Sequence, residues 1–131
     1  MPANHPAGMT PIEPDYDHLL RSNLQRVFNE RDPARRALAI ADLFVEQPTM
    51  YEPDGIVEGR DAISTVAGKL LDKFGPNFAF VPEKTAIGHH GMASLRWHAG
   101  PRDGPATVTG IDTAAIVDGL IERIWVFLDR E

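Results

Sequence analysis

Two carboxylic acids lie at positions where the sequence could carry acid-base chemistry, and one of them is Asp112. In the segment ATVTGIDTAAI, residues 106–116, side chains of an extended chain alternate between two faces. Asp112 shares its face with small and aliphatic residues only, namely Val108, Gly110, Ala114 and Ile116. If this more apolar face packs inward, Asp112 becomes a desolvated acid beside a glycine that leaves room for another group.

The second acid is Glu52, which shares a face with Met50 on a short predicted strand from Thr49 to Glu52. Burial raises the pKa of a carboxyl group, and two acids in one cavity push their titrations apart, so one can stay protonated while the other acts as a base. Two alternatives remain open. Glu52 precedes a Pro-Asp-Gly turn where it could be solvated, and Asp112 could bond to a backbone amide in a purely structural role.

Three helices are predicted before the main run of strands. The first is amphipathic and begins at about Asp15. The second runs from about Pro33 to Phe44, capped by Asp32 and ended by Gln47-Pro48, with an inner face of Leu38, Ala41 and Phe44. The third begins at about Arg60, shows the apolar spacing of a helix that buries one face, and stops at Gly75-Pro76.

Strands dominate the sequence after Asn77. Four runs are predicted, near 78–88, 92–99, 106–116 and 120–128, with turns at His89-His90-Gly91 and Val117-Asp118-Gly119. Three helices followed by such a meander indicate an α+β fold, a cone of three N-terminal helices packed on a curved antiparallel β-sheet.

Alternation along two strands separates a cavity face from an outer face. Leu95 and Trp97 on one strand, with Val126 and Leu128 on the last, are predicted to line a cavity, although ordinary core packing explains them equally. Trp125 and Phe127 fall on the opposite face, where an exposed sheet would carry polar residues. This pattern predicts a homodimer formed through the outer sheet face.

The composition is that of one compact domain. The chain has 131 residues, 43% of them hydrophobic, a net charge of -6 and no cysteine. The acidic balance argues against nucleic acid and anionic membranes as partners, and the lack of cysteine fits a cytoplasmic location. The opening MPANHPAGMTPIEP has neither a basic start nor an apolar run, so residues 1–14 are predicted to be a flexible tail and residues 15–131 a single domain.

No cofactor or metal ion is predicted. His89 and His90 fall in a turn, where neighbours point to opposite sides, and His98 lies on the polar face of its strand. The sequence contains no nucleophile elbow, Gly-rich phosphate loop, His-Glu-x-x-His motif or dinucleotide fingerprint.

Two motifs resemble the SnoaL-like, ketosteroid-isomerase-like branch of the NTF2-like superfamily, over about residues 19–129. One is the strand end Glu52-Pro53-Asp54-Gly55 followed by Gly59-Arg60-Asp61-Ala62-Ile63 at the start of the third helix. The other is a strand aspartate, Asp112, ahead of Asp118-Gly119-Leu120-Ile121. Both are fairly specific for the superfamily and weakly specific for any one reaction.

The resemblance implies roles for individual residues. Glu52 lies where the isomerases keep a general base, and Asp112 where they keep a protonated acid. The sequence departs from the isomerases on the first helix, where Asn23 and Leu24 replace an expected tyrosine. The candidate catalytic residues are therefore Glu52 and Asp112, and the candidate ligand-binding residues are Asn23, Tyr51, Leu95, Trp97, Val126 and Leu128.

The expected function is binding of a small apolar or carbonyl-bearing molecule, with proton transfer of the isomerase or cyclase type. The alternative is a non-catalytic ligand-binding or dimerisation module of the same superfamily.

Overall fold

The structure is a computed structural model that describes residues 13–129. The helices are α1 (Tyr16–Ser22), which continues into a π-helical segment (Asn23–Phe28), α2 (Pro33–Leu43) and α3 (Arg60–Phe74). The strands are β1 (Phe44–Glu52), β2 (Gly55–Glu58), β3 (Phe78–Pro82), β4 (Ile87–His89), β5 (Met92–Pro101), β6 (Val108–Val117) and β7 (Leu120–Leu128). The predicted α+β class, with three helices ahead of the main strands, is confirmed.

All seven strands belong to one curved sheet, in the order β2-β1-β7-β6-β5-β3, with β4 paired to β5 beyond this path. Every pairing is antiparallel except that of β1 with β7, which is parallel. The sheet is therefore mixed, whereas the sequence predicted a wholly antiparallel one. Alternation of side chains reveals that a segment is extended, but it carries no information about the direction of its neighbour.

The ends of α2 and α3 follow local capping chemistry. The Asp32 carboxylate accepts a hydrogen bond from the Arg35 backbone N–H at 2.9 Å, and Pro33 opens α2 as predicted. Gly75, with φ of 89°, ends α3 in the left-handed region that favours glycine. The predicted bounds of α3 are confirmed.

The predicted inner face of α2 is wrong for two of its three residues. Leu38 is 71% exposed and Ala41 is exposed, while the buried face consists of Arg36, Ala39, Ile40 and Leu43. Arg36 is the cause of the misassignment, because a helical pattern that treats arginine as a surface residue rotates the inner stripe away from its true position.

Strand β1 begins earlier than predicted, at Phe44 instead of Thr49. It passes through Pro48, which has no N–H, and its pairing with β7 shifts register between Phe44 and Thr49. The Pro48 carbonyl accepts the Gly59 N–H at 2.8 Å and so connects β1 to the residue before α3. Beyond the register shift, β1 delivers Met50 and Glu52 to the interior side of the sheet.

Most of the predicted tail, residues 1–12, lies outside the described residues. Glu13, which the prediction also assigned to the tail, accepts hydrogen bonds from the His90 N–H at 2.8 Å and from the Tyr16 hydroxyl at 3.0 Å. Within residues 13–129, no helix has the length and apolar character needed to cross a membrane.

Candidate active site

A cavity of about 230 Å³ opens between the inner face of the sheet, the π-helical segment and the C-terminal half of α3. Its wall is predominantly aliphatic and aromatic, with four polar side chains, those of Asn23, Glu52, Thr107 and Asp112. The apolar lining comprises Leu24, Phe28, Met50, Pro53, Leu70, Phe74, Phe78, Phe80, Trp97, Val108, Ile124, Val126 and Leu128. Glu52 and Asp112 thus converge on one cavity.

Asp112 is held in place by the indole of Trp97. The Trp97 Nε1–H donates to Asp112 Oδ1 at 2.9 Å, and Asp112 is 4% exposed. Gly110 explains how the indole fits, because it pairs with Trp97 across β5 and β6, and a Cβ at Gly110 would lie 2.6 Å from the indole ring. The room that the sequence indicated beside Asp112 is therefore filled by tryptophan. Among the described residues, the Trp97 indole is the hydrogen-bond partner of the Asp112 carboxyl group.

Burial raises the pKa of Asp112 to about 7, and the hydrogen bond from Trp97 opposes part of that shift. An ionised carboxylate in an apolar wall loses most of its hydration, whereas the neutral acid loses much less. At neutral pH a large fraction of the protein therefore holds Asp112 as a carboxylic acid. In this form it can donate a hydrogen bond or a proton to a ligand oxygen.

Glu52 lies at the rim of the same cavity, at the end of β1, and is half-buried. Its pKa is raised, first by partial burial and second by the negative charge of Asp54. Met50 pairs with Ile124, so the continued register brings Glu52 beside Val126, which pairs on its other side with Asp112. Two strand spacings separate the acids by about 10 Å between Cα atoms.

This separation contradicts the prediction that the two acids push their titrations apart. Neither acid is among the causes of the other's raised pKa, so the shifts arise from separate surroundings and not from mutual repulsion. The two acids therefore lie on either side of the strand that carries Val126. Glu52 is only half-buried and therefore keeps part of its hydration. To that extent it agrees with the alternative interpretation, in which Glu52 is solvated.

Asn23 enters the cavity wall where α1 changes into the π-helical segment. The wider turn is visible in the bond from the Asn29 N–H to the Leu24 carbonyl, five residues apart, at 2.9 Å. Asn23 is fully buried, and neither its Oδ1 nor its Nδ2 has a hydrogen-bond partner among the described residues.

Asn29 attaches the end of the π-helical segment to the sheet. Its Nδ2 donates to the Phe80 carbonyl and its Oδ1 accepts the Phe80 N–H, both at 2.8 Å. This pair of bonds fixes the segment against β3, an edge strand whose outward backbone groups would otherwise lack partners. Asn29 consequently fixes one wall of the cavity.

Four phenylalanines of the cavity wall were not predicted as site residues. Phe74 stacks on Phe78 at 4.5 Å between ring centroids, Phe78 meets Phe80 edge-on at 5.4 Å, and Phe80 meets Trp97 at 5.4 Å. Phe28 packs against Phe80 at 5.9 Å. The alternation of Phe78 and Phe80 on β3 was the available signal, but it is equally typical of ordinary core packing.

The remaining predicted ligand-binding residues divide into two groups. Trp97, Val126 and Leu128 line the cavity together with Asn23. Tyr51 and Leu95 do not. Tyr51 lies on the other face of β1 and stacks on Trp125 at 5.1 Å, as expected for a residue one position from Glu52. Leu95 is fully buried in the core and is absent from the cavity wall.

The cavity wall has no cationic side chain among the described residues. No lysine, arginine or histidine lines it among residues 13–129, so a carboxylate or phosphate would find no counter-charge. Over the same residues, no group of three or more acidic or histidine side chains is placed to hold a metal ion. His89 ends β4 and His90 lies in the turn that follows; both are exposed, and neither lines the cavity.

Comparison with solved structures defines the class of protein. A proposed isomerase of the SnoaL-like family from Agrobacterium tumefaciens is 25% identical, with a TM-score of 0.80, over 88% of this chain and 98% of its own. A proposed ketosteroid isomerase from Kribbella flavida is 16% identical, with a TM-score of 0.67, over 89% and 79%. A proposed polyketide cyclase from Sinorhizobium meliloti is 16% identical, with a TM-score of 0.64, over 82% and 92%.

The chain thus has the α+β fold of NTF2-like proteins. Within that class it is similar to the SnoaL-like, ketosteroid-isomerase-like branch, which confirms the resemblance inferred from the sequence. No protein-family model matches the sequence, and no curated protein does.

Proposed function

We propose that the protein binds a small, mostly apolar carbonyl compound in this cavity and moves a proton on it, as an isomerase or cyclase does. The observation that carries the proposal is Asp112, a buried acid with a pKa of about 7 whose Oδ1 is held by Trp97 in an apolar cavity. Strongly shifted titratable groups inside a cleft are typical of sites that transfer protons.

In this mechanism the ligand lies between the two acids. The protonated Asp112 donates a hydrogen bond to the carbonyl oxygen, which stabilises the negative charge that develops there. The Glu52 carboxylate removes a proton from a carbon next to the carbonyl, giving an enolate and a neutral Glu52. Where a C=C bond adjoins the deprotonated carbon, the enolate is a dienolate, so Glu52 returns that proton to the far carbon of the dienolate. The C=C bond thereby shifts into conjugation with the re-formed carbonyl group. The proton is conserved, and no co-reactant is needed.

Exchange of hydrogen for deuterium tests this chemistry without knowledge of the natural substrate. We expect the protein to accelerate loss of the NMR signal of the protons next to the carbonyl of α-tetralone in heavy water. Glu52→Gln removes the base and Asp112→Asn removes the acid, so each should slow the protein-catalysed exchange by about a hundredfold. Glu58→Gln, an exposed carboxyl on β2, is the matched control and should leave the rate unchanged.

The second candidate function is a ligand carrier without catalysis. The observation that favours it is the position of Glu52 at the rim, where partial hydration weakens it as a base. Under this reading α-tetralone binds, as measured by calorimetry, but its protons exchange no faster than in buffer. That outcome would remove the enzyme proposal and retain the cavity.

We also propose that a second copy of the chain covers the outer sheet face. Trp125 is half-buried beneath stacking contacts with Tyr51 and the Arg123 guanidinium, and Phe127 is 53% exposed beside it. A self-complementary aromatic face suits a two-fold dimer, the commonest symmetric assembly. Sedimentation should give a dimer for the wild type and a monomer for Trp125→Glu, while a wild type that stays monomeric at high micromolar concentration would contradict the proposal.

A further inference from the structure

The buried amide of Asn23 is not hydrogen-bonded within the described part of the fold. Neither amide atom is hydrogen-bonded by any group within residues 13–129, and the side chain is shielded from solvent in the cavity wall. A buried donor or acceptor without a partner is destabilising, and native proteins pair the large majority of such groups. The π-helical turn therefore places a costly, unpaired amide in the wall of the cavity.

Asn29 shows which hydrogen bonds an asparagine amide makes when partners are present. Six residues further on, its Nδ2 and Oδ1 bind the carbonyl and the N–H of the same residue, Phe80. The partner is thus a donor and an acceptor lying side by side, and both atoms of the amide are satisfied at once. Asn23 has the same two atoms unpaired, so a complementary ligand must offer the same two groups.

We infer that Asn23 is the specificity-determining residue of the cavity and selects ligands that carry a hydrogen-bond donor next to an acceptor. A lactam, an enolised dicarbonyl or a hydroxy ketone presents such an edge without a charge. The inference rests on the proposed function only in placing the ligand in this cavity, and it holds equally for an enzyme and for a carrier.

The charges around Asn23 require the edge to be neutral. No cationic side chain of the described residues lines the cavity, while Glu52 is at its rim and Asp112 is in its wall. A carboxylic acid has the right shape for pairing with an amide, but at neutral pH it is ionised and would be repelled by Glu52. A single ketone satisfies only the Asn23 Nδ2 donor and leaves Oδ1 unpaired.

Three bicyclic probes of nearly equal size separate these cases. They are α-tetralone, the lactam in which NH replaces the CH₂ next to its carbonyl, and the N-methyl derivative of that lactam. Calorimetry at about pH 6, where Asp112 is mainly protonated, should show that the wild type binds the lactam about tenfold more tightly than the N-methyl lactam or the ketone. The Asn23 side-chain NH₂ signals in the NMR spectrum should shift on addition of the lactam.

Asn23→Leu keeps the branched shape and removes both polar atoms. It should abolish the preference for the lactam, so that the three probes bind with similar affinity, and it should raise the melting temperature because an unpaired polar group is lost. Ser22→Ala is the matched control, since Ser22 is also buried on this helix but does not line the cavity. It should keep the tenfold preference.

Equal binding of the lactam and its N-methyl derivative by the wild type would overturn the inference, whatever the variants do. A preference that survives in Asn23→Leu would also overturn it. If Asn23 were only structural, Asn23→Leu would lower the melting temperature without altering the ratio of affinities. Failure of the exchange reaction affects none of these readouts, so the two proposals fail separately.

Discussion

The helix layer and the cavity both bury polar side chains, but they treat them differently. Between α2 and α3, the buried Arg36 donates from Nη1 to the Glu30 carbonyl at 2.6 Å and from Nε to Ser64 Oγ at 3.0 Å. Gly68 makes space for it, because a Cβ there would lie 2.8 Å from Arg36 Nη2. In the cavity, Asn23 has no partner and Asp112 has one, among the described residues.

The contrast separates groups that stabilise the fold from groups available to a ligand. A charge buried for structural reasons is surrounded by acceptors from its own chain, since an unpaired one would cost several kcal/mol. The polar groups of the cavity, Asn23 and Asp112, are not surrounded by hydrogen-bond partners in this way. Unpaired polar atoms in an apolar wall therefore identify the site more sharply than burial alone does.

The largest effect that we expect from this contrast is a change in the free energy of unfolding with pH. The folded-state pKa of Asp112, about 7, exceeds its ordinary value of 3.8. Between those values the unfolded chain releases a proton that the folded protein keeps, so the contribution of Asp112 to stability is complete below about pH 4 and declines as the pH rises to 7. The decline is on the order of 4 kcal/mol in the free energy of unfolding.

Urea unfolding from about pH 4 to pH 8, compared with Asp112→Asn, measures this decline. The variant does not titrate at this position, so the stability of the wild type relative to it should fall across the range. Groups with a lowered pKa, such as Asp17 beside Arg21, act in the opposite direction mainly below this range, and taking the difference between the two proteins removes their remaining contribution. A difference that is constant with pH would show that Asp112 titrates normally.

The next largest effect is expected from removing the hydrogen bonds that Arg36 makes between α2 and its neighbours. Arg36→Met keeps a long side chain but removes both donors, leaving the Glu30 carbonyl and the Ser64 hydroxyl without their partner. We expect a loss of about 3 kcal/mol in the free energy of unfolding, with little change in ligand affinity once folded. Arg35→Met is the control, because the Arg35 side chain is 73% exposed and its loss should cost at most about 0.5 kcal/mol. Similar losses for the two variants would contradict the structural role given to Arg36.

The same contrast explains what the sequence could and could not predict. Strand alternation correctly placed Trp97, Val126 and Leu128 on the cavity side and Tyr51 opposite Met50, because a period of two is a local property of the chain. The buried face of α2 was mispredicted because the partners of Arg36 come from Ser64 in another helix and from a backbone carbonyl. Likewise, the unpaired state of Asn23 and the one-strand gap between Glu52 and Asp112 depend on tertiary pairing, which periodicity does not encode.

The smallest expected effect concerns Glu52, and it tests whether the two acids of the cavity act separately. Its raised pKa derives from its own partial burial and from the nearby Asp54, with no contribution from Asp112 across the intervening strand. Asp54→Asn should therefore lower the pKa of Glu52, measured by side-chain carboxyl NMR titration, whereas Asp112→Asn should leave it unmoved. The pKa of Asp112 should in turn be indifferent to Asp54→Asn, because burial is its cause. A Glu52 pKa that falls in Asp112→Asn would mean that the two carboxyl groups interact directly. The space between acid and base would then be too narrow for a ligand carbon, and proton transfer between them would lose its geometric basis.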